Sequence, residues 1–315
     1  MTEHIPVLLN ETIDWLKLTK GDVVVDGTIN TAGHSLEICK HIGSTGHLIG
    51  IDEDKDALAF AKKNLKNVTP KHTLLHGNYR DMDTLLTRIG ITKVDKILLD
   101  IGLSNRQLFD SGRGFSFAKN EPLLMTFNSN PHKDKLTAEE IVNCWDEENI
   151  ADIIYGYGDE RFARVIARNI IQARSTKKIS TTFELVEIIE KSVPSRAKNK
   201  RLHSATKTFQ ALRITVNDEL QALKEGIDKG INLLNPNGRM VIISFHSGED
   251  RIIKNMFREK QKEKIVEILT KKPTTPSIEE VKTNPKARSA KLRAVKKNNQ
   301  NQNDTNNGTN TNYTI

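Results

Sequence analysis

Apolar residues in the first hundred positions come in short runs with helical spacings between them. Val23-Val24-Val25-Asp26, Leu48-Ile49-Gly50-Ile51-Asp52, Thr73 to Leu75 and Ile97 to Ile101 read as buried strands, while Ser35 to Ile42 and Lys55 to Asn64 step by three and four as helices do. Strand and helix in that alternation predict an α/β protein built on a parallel, doubly wound sheet. Near Ser104 the rhythm breaks. From about Thr137 to Val193 the apolar positions, Ile141-Val142, Ile150, Ile153-Ile154, Phe162, Val165-Ile166, Ile170, Leu185 and Ile188-Ile189, keep helical spacing, which predicts a helical insertion. One long helix from about Ala205 to Leu234 follows, with Ala205, Phe209, Leu212, Val216, Leu220 and Leu223 on one face, and strand rhythm resumes at Gly238 to Phe245. The sheet is therefore expected to be discontinuous in sequence. Lys271 to Pro285, with Pro273, Pro276 and Pro285, reads as a loop. Beyond Lys297 the Asn, Thr and Gln residues bury too little to offset ordering entropy, so a disordered tail is expected.

The strand ends carry the first chemistry. Val25-Asp26 runs into the small-residue turn Gly27-Thr28-Ile29-Asn30-Thr31-Ala32-Gly33 and a helix start at His34-Ser35, and the second strand ends in Asp52. A turn there brings backbone near a ligand, a helix N-terminus offers N–H groups, and a carboxylate at the next strand end accepts ribose hydroxyls. Only Gly27 and Gly33 stand where a pyrophosphate-binding turn uses three glycines, so an adenosine cofactor without a phosphate, S-adenosylmethionine, fits better than a dinucleotide.

Further candidates sit at the same edge. Asp100 ends the fourth strand, and the loop Ile101-Gly102-Leu103-Ser104 after it could reach a bound cofactor or an exocyclic amine; an Asp capping the next turn is the plain alternative. His246 follows the strand resumed at Gly238, where a buried, satisfied histidine is equally compatible, and Glu249-Asp250 can simply open a helix. Arg213 and Asn217 lie four apart on one helix face, suited to holding a loop or a phosphate. Arg113-Gly114-Phe115-Ser116-Phe117 joins a cation to two aromatics, suited to phosphate contact and base stacking, or to plain packing.

Composition narrows the class. Of 315 residues 37% are hydrophobic and 28% charged, enough apolar surface for one or two folded domains. The net charge is +8, and from Val281 to Lys297 there are Lys282, Lys286, Arg288, Lys291, Arg293, Lys296 and Lys297 with no acid among them, a strip suited to phosphate backbones. Cys39 and Cys144 have neither metal nor disulfide-framework spacing and read as packing residues, and no metal site is expected. No apolar run approaches the roughly 18 residues of a spanning helix, and no leader pattern opens the chain, so a cytoplasmic protein without a membrane partner is expected.

Taken in order, His4-Ile5-Pro6-Val7-Leu8-Leu9, Asp26-Gly27-Thr28, Gly33-His34-Ser35, Leu98-Leu99-Asp100-Ile101-Gly102, Gln107-Leu108, Arg113-Gly114-Phe115-Ser116-Phe117, Thr208-Phe209-Gln210-Ala211-Leu212-Arg213-Ile214, Asn217-Asp218-Glu219-Leu220, Ile243-Ser244-Phe245-His246-Ser247 and Arg288-Ser289-Ala290-Lys291-Leu292-Arg293-Ala294 resemble the bacterial 16S rRNA (cytosine(1402)-N(4))-methyltransferase family. The resemblance implies a class I methyltransferase domain over 1–105 and 206–297, Rossmann-like and doubly wound, an inserted helical substrate-recognition domain over 106–205, and the tail over 298–315. It also implies S-adenosylmethionine as donor and the 16S rRNA of the small ribosomal subunit as partner, with the oligomeric state open and a homodimer among the options. Carried over by position, it places the cofactor against Ala32, Gly33, His34, Asp52, Tyr79, Asp100 and Gln107. Asp100, Ser104 and His246 become the candidates for the chemistry, and Arg113, Phe115, Phe117, Arg213 and Asn217 those for the substrate. The chain departs from the family at Asn30-Thr31-Ala32, where glycines are usual, at Leu124 to Asn128, which lacks two carboxylates and an arginine, and at Gly248 in place of leucine. Two other readings compete: an NAD-dependent oxidoreductase, which the missing third glycine disfavours, and a non-catalytic ribosome-assembly factor, which the altered Leu124 to Asn128 segment would suit.

Overall fold

The computed structural model describes residues 6–128, 136–195 and 203–299. After α1 (Leu9–Leu16), strands and helices alternate: β1 (Val23–Asp26), α2 (Gly33–Ile42), β2 (His47–Asp52), α3 (Lys55–Asn64), β3 (Lys71–His76), α4 (Met82–Arg88), β4 (Val94–Asp100) and the short α5 (Asn105–Phe109). Four helices follow, α6 (Ala138–Cys144), α7 (Glu147–Gly158), α8 (Ala163–Thr176) and α9 (Thr182–Ser192), and then α10 (Thr206–Asn217) and α11 (Glu219–Leu233). The chain returns to the sheet with β5 (Leu234–Ser244), α12 (Ser247–Lys262), β6 (Val266–Ile268), α13 (Ile278–Thr283) and β7 (Lys291–Lys297). Of the expected tail over 298–315, all beyond Asn299 lies outside the described residues.

The seven strands form one sheet in the order β3-β2-β1-β4-β5-β7-β6. The first five are parallel, and β7 runs antiparallel to both β5 and β6. Alternate residues feed opposite faces, as a twofold side-chain period requires. Val24, Leu48, Leu98 and Val241 pack with α1 and α2, whereas Val25, Ile49, Leu99 and Ile242 pack with α4, α11 and α12. This is the doubly wound α/β architecture expected from the apolar runs.

Four expectations are corrected. The long helix over Ala205 to Leu234 is two helices, because Asp218 adopts a left-handed conformation (φ 48°) and its carboxylate is held by Arg80 Nη2 at 2.7 Å. The apolar period continues across the break, yet its halves have different partners: Phe209, Ala211 and Leu212 enter a separate helical core with Ile141, Ile154 and Ile166, while Leu223, Ile227 and Ile231 enter the sheet core. The expected loop over Lys271 to Pro285 contains α13 and pairs with the sheet at Thr274. The basic strip ending at Lys297 contains β7, whose Leu292, Ala294 and Val295 are buried and whose cations are largely matched, Arg293 and Lys291 by Asp250 and Lys296 by Glu267. Cys39 packs in the core as expected, but Cys144 is exposed at the end of α6.

α7 and α10 meet closely at Gly158, where a Cβ would lie 2.5 Å from the Lys207 carbonyl oxygen. Among the described residues no helix is long and apolar enough to cross a membrane.

Candidate active site

The carboxyl ends of β1, β2, β3 and β4 open onto a cleft of about 590 Å³. Thr28 and Asn30 come from the turn after β1, Asp52 ends β2, Asn78 and Tyr79 follow β3, and Ile101 and Gly102 follow β4. Gln107 of α5, Phe127, Asn217 and the first turn of α11 with Glu219 and Ala222 close the far side. Ligands of open α/β sheets bind at this edge because the strands deliver their terminal residues there together.

The turn after β1 is internally bonded. Gly27 N donates to Leu98 O, Ile29 N to Ile51 O, Ala32 N to Ile29 O, and Asn30 N to Asp52 Oδ2 at 2.9 Å. Those amides are spent within the fold, so no row of them is left to cradle a pyrophosphate. Asp52 accepts from Asp54 N on its other oxygen, also at 2.9 Å. Burial pushes its carboxyl up to about 7, against the lowering effect of those two amides.

Asp100 stands beside the cleft between the lining residues Thr28 and Ile101. Its amide donates to Thr28 Oγ1 at 2.7 Å, which fixes the end of β4 against the turn after β1. One carboxylate oxygen, Oδ2, is 3.6 Å from His34 Nδ1; the other, Oδ1, is buried with no hydrogen-bond partner. Burial, and then repulsion from Glu249, push this carboxyl up to about 7. A buried acceptor left unmatched in a folded chain is costly.

Behind the cleft runs a buried charge network. Arg213 donates to both oxygens of Glu219, Nε at 2.7 Å and Nη2 at 2.8 Å. Glu249 accepts from Phe245 N at 2.8 Å and His246 N at 3.2 Å, while Glu249 N donates to His246 Nδ1 at 3.3 Å, a reciprocal cap on α12. His246 Nε2 lies 3.0 Å from Glu249 Oε1 without hydrogen-bond alignment. Burial alone would raise Glu249, but His246 and Arg213 outweigh it and hold it low, whereas burial prevails at Glu219 and raises it. Burial also raises the Tyr79 phenol, with Glu219 and Glu249 adding to it, so the hydroxyl stays neutral.

The residues singled out in the sequence fall into two groups. Asp52, Tyr79, Gln107 and Asn217 line the cleft, and Asp100 flanks it. Ala32, Gly33 and His34 do not line it: Ala32 is fully buried, a Cβ on Gly33 would meet Pro6 Cγ at 2.6 Å, and His34 Nε2 lies 3.0 Å from Val7 O. Ser104 caps α5 by accepting from Gln107 N at 3.1 Å, and His246 caps α12. Arg213 is taken up by Glu219. Arg113 is buried, donates to Phe127 O at 2.6 Å and Thr126 O at 3.2 Å, and pairs with the Asp54 carboxylate. Asn217 grips the same segment, accepting from Phe127 N and donating to Met125 O, each at 2.8 Å. Phe115 is buried and stacks on Phe127 with centroids 5.7 Å apart, and Phe117 stacks on His203 at 4.6 Å. The phenylalanine that lines the cleft, beside Tyr79, is therefore Phe127, which no motif marked. Thr28 and Glu219 stood inside quoted motifs without a site role, and Glu249 opens α12 as its plain reading had it.

A doubly wound sheet with this strand order, an acid ending its second strand and a cleft without a phosphate cradle defines a methyltransferase. The profile of the MraW methylase family matches residues 1–298, and the chain belongs to that family. It is 45% identical to the ribosomal RNA small subunit methyltransferase H of Finegoldia magna over 94% of this chain and 98% of that protein. It is also 45% identical to the protein of the same name from Persephonella marina, over 94% of this chain and all of the relative. Among solved structures, a putative rRNA-methylase from Clostridium thermocellum aligns with 93% of this chain and 98% of its own, at 13% identity and a TM-score of 0.45.

Proposed function

We propose that this enzyme transfers a methyl group from S-adenosylmethionine to the N4 amine of cytosine 1402 in the decoding region of 16S rRNA. The partner is then the small ribosomal subunit. The relatives named as small-subunit rRNA methyltransferases support the RNA, and the unmatched Oδ1 of Asp100 carries the chemistry.

The cleft suits the donor. Asp52 would accept the ribose hydroxyls, and Tyr79, Ile101 and Ala222 offer apolar surface for a flat base. Bound there, S-adenosylmethionine supplies an electrophilic methyl group on a sulfonium that leaves with the bonding pair. The protein's own part is position and proton handling. Cytosine N4 is a poor nucleophile because its lone pair is delocalised into the ring. A carboxylate oxygen accepting from the amino group favours a pyramidal nitrogen, and Asp100 Oδ1 then takes the proton released when the N–C bond forms. A base that titrates near 7 is matched to that task. The target base must leave its stack to reach the cleft, and Phe127, backed by Phe115, provides a ring at the cleft wall.

The test is transfer of labelled methyl from S-adenosylmethionine to small-subunit particles lacking the modification, with the labelled nucleoside identified. N4-methylcytidine should form with the native enzyme, and Asp100→Ala should slow it by about 10²- to 10⁴-fold. A native enzyme that binds cofactor and RNA yet transfers nothing would point instead to the assembly-factor reading.

A further inference from the structure

A second cavity, of about 650 Å³, lies away from the cleft, between α12 and the β6–β7 edge of the sheet. Lys254 and Arg258 stand one helical turn apart on α12, Lys271 follows β6, and Arg293 of β7 and the buried Phe257 complete the wall. No carboxylate lines this space. Arg293 is matched by Asp250 at 2.6 Å, and Asp250 also holds Lys291 at 3.2 Å, so that acid is fully used. Among the described residues Lys254, Arg258 and Lys271 make no ion pair, which leaves three unneutralised cations around one cavity.

Like charges gathered in this way repel one another and favour an anionic occupant. Its cations are carried on long side chains from α12, from the segment after β6 and from β7. Lys254 and Arg258 are about 6 Å apart along the helix axis, comparable to the step between phosphates of an extended strand. α12 starts at Ser247, directly after β5 ends beside the cleft, and Lys254 lies roughly 10 Å further along it.

We propose that this groove holds a phosphodiester segment of the RNA substrate flanking the target nucleotide; this rests on the RNA-methylating reading above. The contacts are to backbone phosphates, so they position the strand without reading its sequence.

The experiment compares the native enzyme with the Lys254→Ala/Arg258→Ala/Lys271→Ala variant on small-subunit particles. RNA binding is measured by filter retention across a salt series, and methyl transfer in parallel. The variant should raise KM at least tenfold and flatten the slope of log K against log salt by about 2, the value for three phosphate contacts on a single strand. S-adenosylmethionine affinity should not move, and the charge-conserving Lys254→Arg/Arg258→Lys variant should keep the native KM. The single Lys271→Ala change, at an exposed position, should flatten the slope by about 0.7 and guards against a misfolded triple variant. Native KM and slope in a folded triple variant would overturn the proposal. Inorganic phosphate bound in a variant-sensitive manner, with RNA affinity unmoved, would overturn the RNA occupant in favour of a free anion. A native enzyme that retains RNA with the expected slope but transfers no methyl counts against the activity and leaves the groove standing.

Discussion

Asp100 binds its proton more tightly than an ordinary aspartate because burial strips its water and Glu249 repels its charge. Its folded-state value is raised from 3.8 to about 7, so between those pH values the folded protein holds a proton that the unfolded chain has released. Stability from this group is therefore full below pH 4 and is lost as pH rises towards 7. On the proposed mechanism activity runs the other way, since only the ionised carboxylate would accept the amine proton. The kcat/KM profile of the native enzyme should rise through a limb near pH 7. Asp100→Asn should abolish that limb while melting later than the native protein at pH 8, by about 1–4 kcal/mol, with the two converging near pH 4. Thermal melts across pH, run beside the activity profile, read both effects; an Asn variant less stable at pH 8 would refute the assignment. The placement of Asp100 and Asp52 at the sheet edge was legible in the sequence because each ends an apolar run, although Asp26, which ends another, is used within the fold by Ser35 and Thr28. Arg113 and Arg213 were not legible, since a cation bound for a phosphate and one bound for a buried carboxylate look alike until Asp54 and Glu219 are seen beside them.

At the scale of elements, legibility followed the apolar pattern. β1, β2, β4 and the second half of β5 are near-continuous apolar runs, the mark of strands covered on both faces, whereas β3 at the sheet edge has only Leu74 and Leu75 as apolar residues. β7 alternates cations with Leu292, Ala294 and Val295, a pattern that an exposed basic strip shares, and β6 has only three residues. The break between α10 and α11 left no gap in the period because each helix needs an apolar face, though for a different core. The contact between α7 and α10 offers a sharp test. Gly158→Ala places a methyl group where the Lys207 carbonyl stands, and should cost on the order of 1–3 kcal/mol by forcing the helices apart. Gly156→Ala, which faces open space two residues earlier, should be neutral or stabilising, and chemical denaturation of the pair separates a packing effect from helix propensity.

Across the whole molecule, Arg113 ties the loop after β2 to the segment that carries Phe127 into the cleft, through Asp54 on one side and two carbonyls on the other. Arg113→Ala strands the buried Asp54 carboxylate and should cost about 3–5 kcal/mol in a urea titration, with weaker S-adenosylmethionine binding by calorimetry. Full stability and cofactor affinity, with a loss in RNA binding alone, would return Arg113 to the phosphate-contact role its sequence context suggested. Strand order has a further consequence, for biosynthesis. β7 lies between β5 and β6 although it is made last, so one edge of β5 has no partner until some fifty residues beyond Ser244 have been translated, about 3–10 s at ordinary elongation rates. During that interval the nascent chain presents Met240 to Ile243 on a bare strand edge, where stalled or truncated chains would pair with one another before the strand that belongs there arrives.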